Sequence, residues 1–495
     1  MYYTELQKII TKVQKLQNVS SILSWDNATM MPKKSSESRS EEMALISSIA
    51  HAEFTGEKTA DLIAEIEQNE LGKLDEWQKR DFKLIKRAYI HSSSISSKLV
   101  EEFSKATSKC EMVWREARPE NDFNKLLPYL TEVVNLKKEI ASIKAEILNK
   151  SKYDALLDEY EPEQNMKVID EIFGKVKSFL PDFIEKAINK QKSVTRLPIT
   201  GNFSVEKQKA LGVKVMQRMG FDFDRGRLDI STHPFCGGTP FDIRITTRYR
   251  EDEFISSLMG VIHETGHALY NMNLPEKYQN QFVGLYLGMS FHESQSLIME
   301  MHAGSSREFW GYMAPNIEEA FGVSGAEYSA DNLYNIVNHV KKSFIRVDSD
   351  EVTYYPMHVI LRYELEKEII ENNLDLRDLP DAWNSKMKEY LSITPPDFKD
   401  GCMQDVHWMW GAFGYFPSYL YGAMIAANLM DESKKQYSVI PEELGKGEFT
   451  SLNKFLNENV RNYGSRYRSD ELIKKATGHE LSVDVYKAYL ENKYL

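Results

Sequence analysis

Between Thr4 and about Arg118 the apolar residues recur at spacings of three and four, as in Leu6, Ile9, Ile10, Val13 and Leu16. That periodicity commits the chain to amphipathic helices before anything else is read from it. The breaks are local. Met31-Pro32 interrupts the first helical region, Arg118-Pro119 the third, and Leu127-Pro128 allows another helix to start. None is a long Pro/Gly/Ser linker, and there is no internal repeat or low-complexity segment. The sequence therefore predicts one domain over residues 1–495, helical to about 190, with its chemistry between about 230 and 420.

The exception to helix lies between Arg227 and Arg250. Leu228-Asp-Ile-Ser and Phe241-Asp-Ile-Arg-Ile-Thr-Thr-Arg-Tyr flank a Pro/Gly-rich connection that contains Gly237-Gly238, and this pattern predicts a hairpin. In the second run Ile243, Ile245 and Thr247 alternate with Arg244, Thr246 and Arg248, giving one face for a core and one for solvent or a ligand. Farther along, Tyr419 to Met430 is apolar but too short to span a bilayer, and it reads as a buried helix.

Charge narrows the partners. Lys+Arg number 62 and Asp+Glu 74, a net charge of -12, which disfavours general attraction to nucleic acid or to anionic membranes. The three cysteines, Cys110, Cys236 and Cys402, are far apart and lack any C-x-x-C spacing, so neither a disulfide framework nor a thiolate metal site is expected. The first residues, Met1-Tyr-Tyr-Thr-Glu-Leu-Gln-Lys, lack a signal-peptide apolar stretch, and no later run reaches about 18 apolar residues. A cytoplasmic location is the expectation.

Eight of the eleven histidines fall between His233 and His407, which directs the search for chemistry there. Within that window His263-Glu264-Thr265-Gly266-His267 forms an H-E-x-x-H motif inside the helical pattern Phe254, Leu258, Val261, Ile262. Residues four apart share a helix face, so both imidazoles can reach one ion while Glu264 sits beside it. A catalytic zinc takes three protein ligands and leaves a position for water. Ser290-Phe-His292-Glu293-Ser-Gln295 and the following Glu300 offer the third, and spacing alone leaves His292, Glu293 and Glu300 open. With Zn2+ lowering the pKa of bound water toward about 7, Glu264 can take its proton and pass it to a leaving amine. Oxyanion donors can come from Gln404-Asp405-Val-His407-Trp408 and Gly414-Tyr415-Phe-Pro-Ser-Tyr419.

Several ordered motifs now resemble one family, the Taq-type thermostable metallocarboxypeptidases. They are His233-Pro-Phe235, Asp242-Ile-Arg244-Ile-Thr246, His263 to His267, His292-Glu293-Ser-Gln295, Ile345-Arg346-Val-Asp-Ser-Asp350, and Gly401-Cys-Met-Gln404-Asp405-Val-His407-Trp408. Ser24-Trp25-Asp26 followed by Met31-Pro32 also looks like the family's opening, and the one departure is Ser349 where alanine is usual. The resemblance implies Glu293 as third ligand and one Zn2+ per subunit, with Co2+ as an alternative. It further implies a mainly helical, saddle-like body with a deep groove and a small sheet near the metal, assembled as a homodimer. The implied reaction releases single C-terminal residues from peptides with broad specificity, poorly at proline.

Recognition of a terminal carboxylate calls for a positioned arginine. Arg346 is the first candidate and Arg244 the second, with His233, His407, Tyr415 and Tyr419 as further substrate contacts. His292, Asp242, Asp350 and Asp405 are candidates for orienting a metal-bound histidine or a substrate-binding arginine. Two other readings share these features. One is a metallo-oligopeptidase or dipeptidyl carboxypeptidase, and the other is a peptide-binding protein without catalysis.

Overall fold

The computed structural model describes residues 1–372 and 374–495. The chain gathers into two compact units. The first comprises Met1–Ser92, Thr195–Val337 and Ile425–Leu481, and the second Ser93–Val194, Asn338–Met424 and Ser482–Leu495. Helix dominates both, and the one sheet has three strands.

In the first unit the predicted periodicity becomes the helices Tyr2–Thr29, Ser36–Thr55, Glu57–Asn69 and Glu76–Ser93. Leu6, Ile10 and Val13 of the first bury with Phe54, Ile66, Phe82 and Ile85 in a common core. Each fully buried aliphatic chain there contributes about 1.5–3 kcal/mol. The chain start is tied down by Glu70, whose carboxylate accepts the N–H groups of Tyr2 and Tyr3 at 2.9 Å each, filling donors that a helix N-terminus leaves open.

The sheet corrects the predicted hairpin. Gly226–Ile230 (β1) and Asp242–Thr247 (β3) pair in parallel, and the antiparallel partner of β3 is the intervening Cys236–Thr239 (β2), in the order β1-β3-β2. The connection read as a turn thus supplies a strand of its own. The tight return into β3 depends on Gly238, at φ +99°, where a Cβ would fall 2.0 Å from the Asp242 carbonyl oxygen. Ile243, Ile245 and Thr247 point inward as predicted, while Thr246 is also buried, its Oγ1 lying 2.7 Å from Ser231 Oγ and accepting from the Phe235 N–H at 3.1 Å. Leu228, Ile243 and Ile245 pack on Val261, Ala268 and Met272 of the helix Ile255–Met272. The sheet therefore presses on one face of the H-E-x-x-H helix and fixes where its other face points.

The second unit contains the helices Ser97–Glu120, Phe123–Leu148, Met166–Gln191, Val359–Ile370 and Val483–Tyr494. Leu127-Pro128 does not open a helix. Asp122 accepts the Lys125 N–H at 2.9 Å, so the helix begins at Phe123 and Pro128 lies inside it. Tyr419 to Met430 is helical and, apart from the partly exposed Tyr419, buried, within Pro417–Gln436. Among the described residues no helix is long and apolar enough to cross a membrane, and the cysteines are unpaired.

Candidate active site

The face of the helix Ile255–Met272 away from the sheet carries His263 and His267 one turn apart. Each imidazole is anchored through Nδ1. His263 Nδ1 lies 2.7 Å from Glu300 Oε2, and His267 Nδ1 lies 3.0 Å from the carbonyl oxygen of His292. Both partners only accept, so each Nδ1 carries a proton and Nε2 is the atom left to face a cation, which at His263 has to displace the second proton that the surrounding carboxylates favour. The helix Gly288–Leu297 brings Glu293 opposite, with Oε2 3.6 Å from His267 Nε2. One donor atom from each of His263, His267 and Glu293 lies within 4.8 Å of the others.

This geometry separates the three residues that spacing left open. The Glu293 carboxylate joins the two imidazoles, whereas Glu300 faces the far nitrogen of His263. His292 offers its backbone oxygen and stacks its ring on His267 at 4.3 Å between centroids. Two local features set the arrangement. Gly266 lets the two helices touch through backbone, since a Cβ there would sit 2.5 Å from the Gln295 carbonyl oxygen and 2.6 Å from Ser296 Cα. Beyond Leu297 the helix widens into a π-helix, Ile298–Gly304, which carries Glu300 toward His263; such widened turns recur at functional sites.

Electrostatics follow from enclosure. Burial pushes Glu264 up to about 7, with His263 opposing and Glu293 and Glu300 adding to the rise. Burial pulls His263 down, but Glu300 outweighs it and raises the imidazole to about 10. His267 is held well below its ordinary value by burial and by the neighbouring His292 and His263. Two imidazole nitrogens and one carboxylate suit a borderline divalent ion such as zinc, and the anchored tautomers fit that role.

Near the sheet, Arg244 forks onto Asp242 at 2.8 and 2.5 Å and lies 4.5 Å over the Trp25 ring. Asp242 thus forms a two-bond ion pair with its strand neighbour Arg244. His233 is exposed, and its carbonyl oxygen accepts the Ser231 hydroxyl at 2.5 Å.

The second unit gathers Arg346, Asp405, His407, Tyr415 and Tyr419 around one buried ion cluster. Asp405 accepts from Arg346 Nε at 3.0 Å and from Arg362 Nε at 2.6 Å. It is buried, yet these two guanidinium groups hold it far below the usual carboxylate range. Gln404 Oε1 accepts from the Arg346 N–H and from Arg362 Nη2, both at 2.8 Å. Tyr354, Phe416 and Tyr419 surround the Arg346 guanidinium at 5.0 to 5.8 Å, and the Tyr354 hydroxyl accepts from Nη1. His407 packs on Phe416 and Tyr415, and burial lowers it to about 4. Asp350 departs from its expected role. Its carboxylate accepts the N–H groups of Lys341, Val352 and Thr353, so it caps a turn and orients no arginine or histidine.

Sequence reasoning missed Arg362 and Glu366. Both are fully buried in the helix Val359–Ile370. Glu366 accepts from Tyr153 Oη at 2.7 Å and from Trp408 Nε1 and the Gly414 N–H at 2.9 Å each, which fixes the segment carrying His407 and Tyr415.

Comparison with known proteins decides the family. The model of the Carboxypeptidase Taq (M32) metallopeptidase family matches residues 5–494. This chain belongs to that family. Carboxypeptidase 1 of Bacillus subtilis is 36% identical over 494 residues, covering 100% of this chain and 98% of that protein. Thermostable carboxypeptidase 1 of Thermus thermophilus is 33% identical, covering 99% of this chain and 98% of that protein. The solved structure of Trypanosoma cruzi metallocarboxypeptidase 1 aligns with a TM-score of 0.97 at 39% identity, covering 100% of this chain and 99% of its own. As an M32 metallocarboxypeptidase the protein is a peptide hydrolase that uses a divalent metal and acts on peptides. The mainly helical fold with a small sheet agrees with the same family.

Proposed function

We propose that the protein is a zinc carboxypeptidase that releases single C-terminal residues, with His263, His267 and Glu293 as metal ligands and Glu264 as general base and then general acid. The observation that carries the ligand assignment is the convergence of those three side chains with both histidines anchored through Nδ1. A divalent ion bound there supplies Lewis acidity for the peptide carbonyl and makes water a nucleophile near neutral pH. Glu264 takes a proton from the attacking water and returns it to the departing amine nitrogen. Glu300 and the His292 carbonyl hold the two imidazoles in the ligating tautomer.

Arg346 reads the terminal carboxylate in this proposal. Each arginine keeps one terminal nitrogen open, but Arg244 is forked onto a carboxylate of its own, Asp242, whereas Arg346 touches Asp405 through Nε alone and shares it. With Arg362 also on Asp405, two guanidinium groups share one carboxylate, and the excess positive charge suits an anionic chain end. His233, His407, Tyr415 and Tyr419 contribute further substrate contacts, with Arg244 shaping the sheet side. Poor cleavage at C-terminal proline, one ion per subunit, Co2+ as an alternative metal, a homodimer acting in the cytoplasm, and one catalytic domain formed by residues 1–495 belong to the same proposal.

The test is product analysis on an N-terminally blocked peptide of about ten residues with added Zn2+. Stepwise loss of single C-terminal residues, abolished by chelator and by Glu264→Gln, is the expected result. Dipeptide release would replace this reading with a dipeptidyl carboxypeptidase, and no cleavage by metal-loaded protein would end it.

A further inference from the structure

We propose that Arg461 holds a small monovalent anion, with chloride as the type, in the interior of the first unit against the helix that carries Glu293. Arg461 is fully buried, in the 3-10 turn Arg461–Tyr463 that follows the helix Thr450–Asn459. Its hydrogen bonds go only to neutral amides. Nε donates to Gln295 Oε1 at 3.0 Å, and Nη1 donates to Asn453 Oδ1 at 3.0 Å and Asn457 Oδ1 at 3.1 Å. Asn453 cannot turn its other end toward the cation, because its Nδ2 is engaged by the Met219 carbonyl at 2.8 Å. Nη2 is enclosed and meets no protein acceptor.

Among the described residues no carboxylate lies within ion-pair distance of this guanidinium. Arg362, equally buried, shows the usual solution, with Asp405 2.5 Å away. An uncompensated charge in a protein interior is strongly disfavoured, so a retained one calls for a counter-ion. Proton loss does not solve the problem at neutral pH, since burial lowers Arg461 only to about 9, with Tyr270 the one group opposing. Nη2 is a donor suited to a halide, and full enclosure excludes a large organic anion.

The anion would also be felt at the metal centre. Gln295, the acceptor of Nε, stands two residues after Glu293 on the same helix, and its backbone carbonyl abuts Gly266. An anion that fixes the guanidinium therefore also restrains the helix carrying the third ligand, so anion and metal affinities should be coupled, and coupled equally in both directions. Only this coupling rests on the metal-ligand assignment; the anion site stands on Arg461 itself.

The experiment replaces gluconate with chloride at constant ionic strength and follows thermal unfolding of the metal-free protein, which needs no catalysis. A saturable rise in the midpoint with chloride, absent in Arg461→Met, is expected, together with a bromide anomalous peak in contact with Arg461 Nη2 in crystals of the wild type grown in bromide. If Arg461→Met does not fold, the wild-type bromide peak decides alone. In Gln295→Met, which keeps Arg461, the chloride-dependent midpoint should persist, while the chloride enhancement of Zn2+ affinity, about fivefold in the wild type, should be lost. Superimposable chloride and gluconate curves without a bromide peak, or a chloride effect undiminished in Arg461→Met, would overturn the proposal.

Discussion

Replacing Gly266 with alanine places a methyl carbon 2.5 Å from the Gln295 carbonyl oxygen and 2.6 Å from Ser296 Cα. Both are backbone atoms of the facing helix, so no side-chain rotation relieves the clash. Ordinary contact requires the two helices to separate by about 0.9 Å. That shift falls directly on the distance between the Glu293 carboxylate and the two imidazoles, where a metal tolerates only about 0.2 Å. Overpacking of this kind costs about 1–3 kcal/mol of stability, and a displacement of about 1 Å at reacting groups can cost about a hundredfold in rate. Zn2+ affinity, measured by competition with a chromophoric chelator, should therefore fall at least about tenfold, and urea unfolding of the metal-free protein should show a loss within the stability range just given. Gly260→Ala is the control, because its methyl would meet Thr247 Oγ1 at 3.7 Å and Pro234 Cγ at 3.9 Å, both ordinary contacts. Wild-type Zn2+ affinity in Gly266→Ala, or an equal loss in Gly260→Ala, would refute the close-approach argument.

Glu300→Gln keeps an acceptor for His263 Nδ1 but removes the charge behind it, and Zn2+ affinity should drop about 10–100-fold; unchanged affinity would show that the 2.7 Å contact does not orient the ligand. Glu366 gives a pH signature. Burial raises it to about 7, with the Gly414 N–H, Tyr153, Trp408 and Lys137 opposing, so its folded value lies above an unfolded value near 4.3. The stability it contributes is fully present below about 4.3 and is lost as pH rises through about 7, a change on the order of 3 kcal/mol. Wild type minus Glu366→Gln, measured by urea unfolding across that interval, should fall by about this amount as pH rises; parallel profiles would contradict the buried-carboxylate reading.

The H-E-x-x-H pair was legible because a helix turns a four-residue spacing into shared direction, and the apolar residues flanking it identify the helix. Spacing alone did not single out the third candidate ligand, and only the family resemblance favoured Glu293: the two carboxylates lie seven apart, and spacing cannot say that Glu293 joins the two imidazoles while a π-helix delivers Glu300 to His263 Nδ1. The sheet misled for a different reason. Cys236-Gly-Gly-Thr239 has almost no strand propensity, and its extended form comes from pairing with β3 rather than from its own side chains. Asp350 shows that an acidic residue in a motif can cap a turn as readily as hold a cation. Arg362, Glu366 and Arg461 left no signal, because a charge in helical sequence reads as solvated until packing encloses it.

The most direct test of the metal centre is a crystal structure of the zinc-loaded protein with an anomalous map at the zinc edge. The prediction is a single ion bound by His263 Nε2, His267 Nε2 and the Glu293 carboxylate at about 2.0–2.2 Å, with Glu300 still on His263 Nδ1. An ion ligated by Glu300 in place of Glu293, or no anomalous peak between these two helices, would contradict the assignment.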